Sequence, residues 1–122
     1  MSTSRKSVLV VSRHSPYGSG LARSALDHVL ASAAFDQPVS LLFMGDGVLQ
    51  LLPDQDSQRI GSKSMAKQLS ALPLYEVDTL YADSAAAQRL GVDLSAAPAP
   101  VQAVTETDIR ELLAGHDHVL GF

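Results

Sequence analysis

The sequence predicts one α/β domain, a flavodoxin-like or Rossmann-like sandwich with a mostly parallel five-stranded sheet. Its 122 residues are enough for one hydrophobic core and too few for a core plus a second module. Short segments rich in β-branched residues alternate with segments of helical periodicity, which predicts right-handed connections and helices on both faces of the sheet. We therefore assign residues 1–122 to a single domain and expect residues 1–6 to be a flexible N-terminus.

The first half of the chain contains two predicted strands with a helix between them. Residues 7–12 are almost continuously apolar and rich in valine, which is typical of a central parallel strand. From residue 21 to 33 apolar side chains recur at helical spacing, with polar ones on the other side. Residues 39–44 are the second apolar run and the second predicted strand.

The segment 41–54 joins that buried strand to a short helix. Glycines on both sides of Asp46 stop the strand, and a carboxylate at this position suits the cap of the helix that follows. Such a transition lies at the carboxyl edge of an open α/β sheet, where folds of this class place their sites. The apolar rim of this helix is more hydrophobic than a free monomer usually exposes, so we expect a protein interface there. Its residues are Val48, Leu49, Leu51 and Leu52.

The second half predicts three more strands. Residues 55–63 are polar and predict an exposed loop, residues 64–72 a modest helix ended by Pro73, and residues 76–82 the third strand. Local signals then mark the remaining elements. Asp83 or Ser84 caps a helix over 85–90 that ends at Gly91, and residues 101–104 are strand four. Thr105 and Asp108 form a capping box for a helix ending at Gly115, and residues 119–122 are the last strand.

Composition excludes several function classes. The formal charge is −4 and the nine Lys and Arg residues are scattered, which argues against direct nucleic-acid binding. The apolar segments are too short for a membrane span and no export signal is evident, so we expect a cytoplasmic protein. There is no cysteine, which excludes disulfides, thiolate metal sites and a persulfide carried on this chain. We predict no cofactor.

Two groups of polar residues suggest other chemistry. His14 and Asp46 both follow predicted strands and could form an acid–base pair, and residues 18–20 (Gly-Ser-Gly) could begin a phosphate-binding loop. The third glycine of a dinucleotide fingerprint is absent, because position 23 is arginine. A small enzyme or nucleotide-binding protein using these residues is thus the alternative to an interaction subunit. His116 and His118 lack an evident third ligand, so we predict no metal site.

The segment from Gly45 to Pro53, about forty residues after a first strand of the type Val8–Val11, resembles the DsrE/DsrF-like family, which includes the subunits of the bacterial TusBCD sulfur-relay complex. The resemblance extends from Ser7 to Phe122. It implies a non-catalytic subunit of a complex that relays persulfide sulfur for 2-thiouridine formation at the tRNA wobble position. It implies TusB-like and TusD-like partners in a dimer of heterotrimers, with a TusE-like acceptor. The persulfide cysteine of other members matches Asp83 here.

Overall fold

The computed structural model describes residues 7–15, 20–35, 37–52, 69–75, 77 and 79–122. The strands are β1 (Val8–Ser12), β2 (Val39–Phe43), β3 (Leu80–Asp83), β4 (Gln102–Val104) and β5 (His118–Gly121). The α-helices that are described from end to end are α1 (Leu21–Ala34), α2 (Ser84–Leu90) and α3 (Glu106–Gly115), and residues 69–71 are also α-helical. Shorter 3₁₀ helices cover Gly45–Leu51, Leu72–Tyr75 and Leu94–Ala96.

All five strands are parallel and lie in the order β4-β3-β2-β1-β5, which confirms the predicted fold class. The interior strand β1 pairs with β2 on one side and β5 on the other, so that Val10 lies between Leu41 and Leu120. The chain advances from β1 to β4 in one direction and then returns across the sheet to β5. The strand order therefore reverses at β1, the strand whose carboxyl end is the expected place for a site.

The two faces of the sheet are covered unequally. On the first face, side chains such as Val10 and Phe43 pack with α1, α2 and the 3₁₀ helix Gly45–Leu51 in the larger core cluster. On the second face, Leu9, Leu42 and Ile109 belong to a smaller cluster, to which α3 is the only helix that contributes within the described residues. Each large side chain fully buried in these clusters contributes about 1.5–3 kcal/mol relative to an exposed one.

The predicted caps of the last two α-helices are confirmed. Asp83 precedes α2 and accepts a hydrogen bond from the Ala86 amide, and Gly91 ends the helix with a φ of 72°. Thr105 and Asp108 form a reciprocal capping box at the start of α3, over 3.0 and 3.2 Å. These contacts satisfy amide groups that have no partner within the helix.

Three predictions of detail differ from the structure. The third strand begins at Leu80, so Val77 and Thr79 of the predicted strand lie outside it, and the Val77 amide donates to the Leu72 carbonyl and not to a neighbouring strand. The α-helical residues before Pro73 stop at residue 71 as predicted, but the chain continues through Pro73 as the 3₁₀ helix Leu72–Tyr75. The short helix after β2 is a 3₁₀ helix that already begins at Gly45.

The predictions for residues 1–6, for the loop 55–63 and for the helix over 64–68 lie outside the described residues. Within the part of the chain that the structure describes, no helix has the length and apolar character needed to cross a membrane.

Candidate functional site

The carboxyl end of β1 is held by the turn that follows β2. The Met44 amide donates to the Ser12 carbonyl over 3.0 Å. Gly47 then passes so close to Ser12 that a Cβ built at position 47 would lie 2.0 Å from the same carbonyl oxygen. Real Cβ atoms do not approach a backbone atom so closely, so this contact requires glycine.

A buried glutamine fixes the loop that leaves β1. Gln50, on the 3₁₀ helix after β2, is 1% exposed, and its Nε2 donates to Ser12 Oγ over 2.7 Å and to the His14 carbonyl over 3.0 Å. Ser12 is also 1% exposed. Both amide protons of Gln50 are therefore used to hold the chain between residues 12 and 14, and the hydroxyl proton of Ser12 is left available for another acceptor.

His14 lies at this edge without the predicted acid–base partner. Its Nδ1 is buried and has no hydrogen-bond partner, and His14 forms no ion pair with Asp46. The adjacent Arg13 extends across the end of β5. A methyl group added at Gly121 would lie 3.5 Å from Arg13 Nη2. The structure thus places His14 and Asp46 at one edge of the sheet but does not join them as a catalytic pair.

The expected capping role of Asp46 is not observed. The N-cap position of the 3₁₀ helix is Met44, with no side-chain capping bond, and Asp46 lies in the first turn with its side chain exposed. A carboxylate at that place still interacts favourably with the amide end of a helix. Of the predicted phosphate-binding loop only Gly20 is described, where it precedes α1 as the N-cap.

The four apolar residues of the predicted rim divide into two pairs. Val48 and Leu51 are fully buried in the larger core cluster, so their side chains belong to the interior of this chain and are not available to a partner. Leu49 and Leu52 are half-buried and pack against the outside of the same cluster. Of these four residues, Leu49 and Leu52 are therefore the ones that can contribute to an interface.

Asp83 ends β3 at the same edge of the sheet. Its Oδ1 accepts from the Ala86 amide over 3.3 Å, so the carboxylate lies at the N-terminus of α2. A strand end followed directly by a helix start is the environment that lowers the pKa of a cysteine thiol, because backbone amides and the helix dipole favour the thiolate. In this chain the position holds a carboxylate, which cannot carry sulfane sulfur.

The two C-terminal histidines have different surroundings. His116 follows α3, and its Nδ1 lies 2.7 Å from the Leu112 carbonyl oxygen, so it caps the end of that helix. His118 is exposed on β5, paired with Val8. Among the residues that the structure describes, no group of three or more His, Cys, Asp or Glu side chains could hold a metal ion.

A shallow groove of about 270 Å³ lies beside α3 on the less covered face of the sheet. Tyr81 and Gln102, neighbours across β3 and β4, line it from the sheet. Asp108, Glu111 and His116 line it from α3 and its C-terminus. No lysine or arginine is among the lining residues.

Sequence reasoning missed both Gln50 and this groove. The only sequence signal for Gln50 is a polar residue inside an otherwise apolar helical turn, between Leu49 and Leu51. Its partners are more than thirty-five positions away in the chain, so the contacts depend on how β1 and β2 pair. The groove likewise depends on which strands α3 leaves uncovered.

The fold and this edge define a small parallel α/β domain with no cysteine nucleophile of its own. The chain belongs to the DsrE/DsrF-like family, whose model matches residues 6–122. It is 36% identical over 115 residues to the Protein TusC homolog of Pseudomonas aeruginosa, a match that covers 94% of this chain and 97% of that protein. The family match agrees with the resemblance to the DsrE/DsrF-like family found in the sequence. The similarity to a TusC homolog indicates the TusC-like members of that family.

Two solved structures share the fold. The ychN protein of E. coli superposes with a TM-score of 0.85 at 19% identity, covering 96% of this chain and 99% of that one. A conserved protein of unknown function from Bacteroides thetaiotaomicron superposes with a TM-score of 0.67 at 13% identity, covering 94% of each chain. At these identities the likeness concerns the fold alone.

Proposed function

We propose that this chain is a non-catalytic, TusC-like subunit of a cytoplasmic complex that relays persulfide sulfur for 2-thiouridine formation at the tRNA wobble position. Its partners are a TusB-like and a TusD-like chain in a dimer of heterotrimers, and a TusE-like protein accepts the sulfur. Family membership and the similarity to a TusC homolog support this assignment. The observation that carries the non-catalytic role is Asp83 at the start of α2, in a chain without cysteine.

Persulfide relay needs a sulfur atom that accepts and then releases sulfane sulfur through thiol–disulfide-type exchange. Methionine is a thioether and cannot do this, and a carboxylate forms no comparable bond to sulfur. The chain therefore acts through its surface, by packing against a cysteine-bearing partner or by completing the surface that the acceptor meets. Its contribution is to the geometry of the complex and not to bond making.

The test is to incubate this protein with a cysteine desulfurase and isotopically labelled cysteine, alone and with the TusD-like partner. We expect the intact mass of this chain to stay unchanged, while the partner gains sulfur. Transfer to the acceptor should fall when this subunit is omitted. A stable sulfur adduct on this chain would overturn the proposal, and transfer at the full rate without it would reduce its role to stabilising the complex.

Leu49 and Leu52 are the residues of the predicted rim that we propose for the interface with a partner subunit. They lie at the carboxyl edge of the sheet, half-buried against the core, so their substitution need not unfold the chain. Leu49→Asp and Leu52→Asp should reduce co-purification of the partners while the isolated variants keep a cooperative thermal transition. Val48→Asp, by contrast, places a charge in the core and should unfold the chain itself. Undiminished co-purification of the Leu49 and Leu52 variants would exclude this edge as the interface.

A further inference from the structure

The groove beside α3 lies on a part of the sheet that the described elements leave open. Five strands spaced about 4.8 Å apart span close to 20 Å, whereas one α-helix is about 10 Å in diameter. On the second face α3 packs over Leu9 and Leu42 and also contacts Val104 of β4, and among the described elements it is the only helix in that cluster. Tyr81 packs against the edge of this cluster and is half-buried, and Gln102 at the start of β4 is exposed.

The charged side chains around the groove are carboxylates. Asp108 and Glu111 contribute carboxylates, of which Asp108 Oδ2 already accepts from the Thr105 amide in the capping box, and neither has a lysine or arginine partner among the described residues. His116 uses Nδ1 towards the Leu112 carbonyl over 2.7 Å. The groove also reaches Gly115 at the C-terminus of α3, the negative end of the helix dipole, and the last turn contains no basic residue.

The size of the groove favours a side chain over a cofactor. Its volume of about 270 Å³ lies below the range of about 300–1,000 Å³ that is typical of small-molecule sites. A guanidinium group fits the chemistry best, because it offers five N–H donors in a plane and stacks on an aromatic ring such as that of Tyr81. We propose that this groove binds an arginine side chain of a partner protein. The choice of partner, a neighbouring subunit of the relay complex, rests on the proposed function.

Two ligands that differ in charge test the groove on the isolated protein. Argininamide added to the ¹⁵N-labelled chain should shift the backbone resonances of Gln102, Glu111 and Gly115 saturably. Citrullinamide, which has the same backbone and an uncharged ureido group in place of the guanidinium, should bind far more weakly. Glu111→Gln should weaken argininamide binding roughly two- to fivefold, the range expected for one partly exposed ion pair. The matched control is Glu106→Gln on the same helix, since Glu106 pairs with Arg110 over 3.1 Å and does not line the groove.

A second measurement uses the complex. Glu111→Gln should lower the affinity for the TusB-like and TusD-like subunits, and Glu106→Gln should leave it unchanged. Equal binding of the two amides, shifts that do not concentrate around the groove, or equal effects of the two variants would overturn the inference. If the wild-type chain binds neither subunit, the proposed function fails, and the argininamide titration still decides whether the groove recognises a guanidinium group.

Discussion

Gln50 and Ser12 are joined by a hydrogen bond of 2.7 Å between two side chains that are each 1% exposed. Gln50→Leu keeps the volume but removes the donor for Ser12 and for the His14 carbonyl. A buried polar group left without its partner costs about 1–3 kcal/mol, so we expect the free energy of unfolding in urea to fall by about that amount. Gln88→Leu, an exposed substitution on α2, is the control. Equal stability of the two variants would show that the Gln50 bonds contribute nothing net.

The contact between Gly47 and Ser12 gives a second prediction. In Gly47→Ala the new methyl group would meet the Ser12 carbonyl oxygen at 2.0 Å and its carbon at 2.8 Å. Both atoms belong to the backbone of β1, which cannot move aside without disturbing its pairing with β2 and β5.

We expect Gly47→Ala to lower the free energy of unfolding by about 1–3 kcal/mol, as measured by denaturant unfolding. Gly115→Ala is the matched control, because a Cβ there meets nothing within 4 Å and alanine favours a helix by up to about 1 kcal/mol. A Gly47→Ala variant as stable as the control would mean that the turn can shift away from β1.

The fold was predictable from the sequence because its signals are local. Continuous apolar segments gave β1 and β2, and the capping residues Asp83, Thr105 and Asp108 marked the starts of α2 and α3. Each of these signals acts within about four residues of the chain. Local pattern therefore determined the kinds of element and their approximate bounds.

The candidate site was less predictable because its contacts link distant residues. Val48 and Leu49 are apolar neighbours in one short helix, and the packing of this helix against α2, β2 and β3 makes the first fully buried and the second half-buried. The same applies to Gln50, whose role depends on the pairing of β1 with β2. Strand order decides these contacts, and sequence periodicity does not encode it.

Asp93 provides a prediction about pH. Its carboxylate accepts hydrogen bonds from Ser95 Oγ over 2.6 Å and from the Ser95 amide over 3.0 Å. These bonds, with the hydroxyl as the larger cause, favour the charged form and hold the pKa of Asp93 below its ordinary value of 3.8. Because the pKa is lower in the folded state, the stabilisation is present above the unfolded pKa and is lost as the pH falls through the folded pKa.

Ser95→Ala removes the larger of these two bonds and should raise the pKa of Asp93 towards 3.8, as measured by carboxyl carbon NMR across an acid titration. Ser24→Ala, an exposed serine on α1, should leave that midpoint where it is in the wild type. An unchanged Asp93 midpoint in Ser95→Ala would show that the hydroxyl does not determine the ionisation.

The last prediction concerns Asp83, which accepts a hydrogen bond from the Ala86 amide at the start of α2. If Asp83 occupies the persulfide position of the family, Asp83→Cys should place a thiol against the same amides and helix dipole. We then expect a thiol pKa below the ordinary value of about 8.5 and faster alkylation near neutral pH than for Ala31→Cys, at an exposed site within α1. The variant should also lose about 1 kcal/mol of stability, since the carboxylate cap is removed. The rate of iodoacetamide alkylation against pH gives the thiol pKa, and denaturant unfolding gives the loss. Equal alkylation rates of the two thiols across the titration would mean that the amides at the start of α2 do not activate this position, and that the match of Asp83 to the family's cysteine has no chemical counterpart.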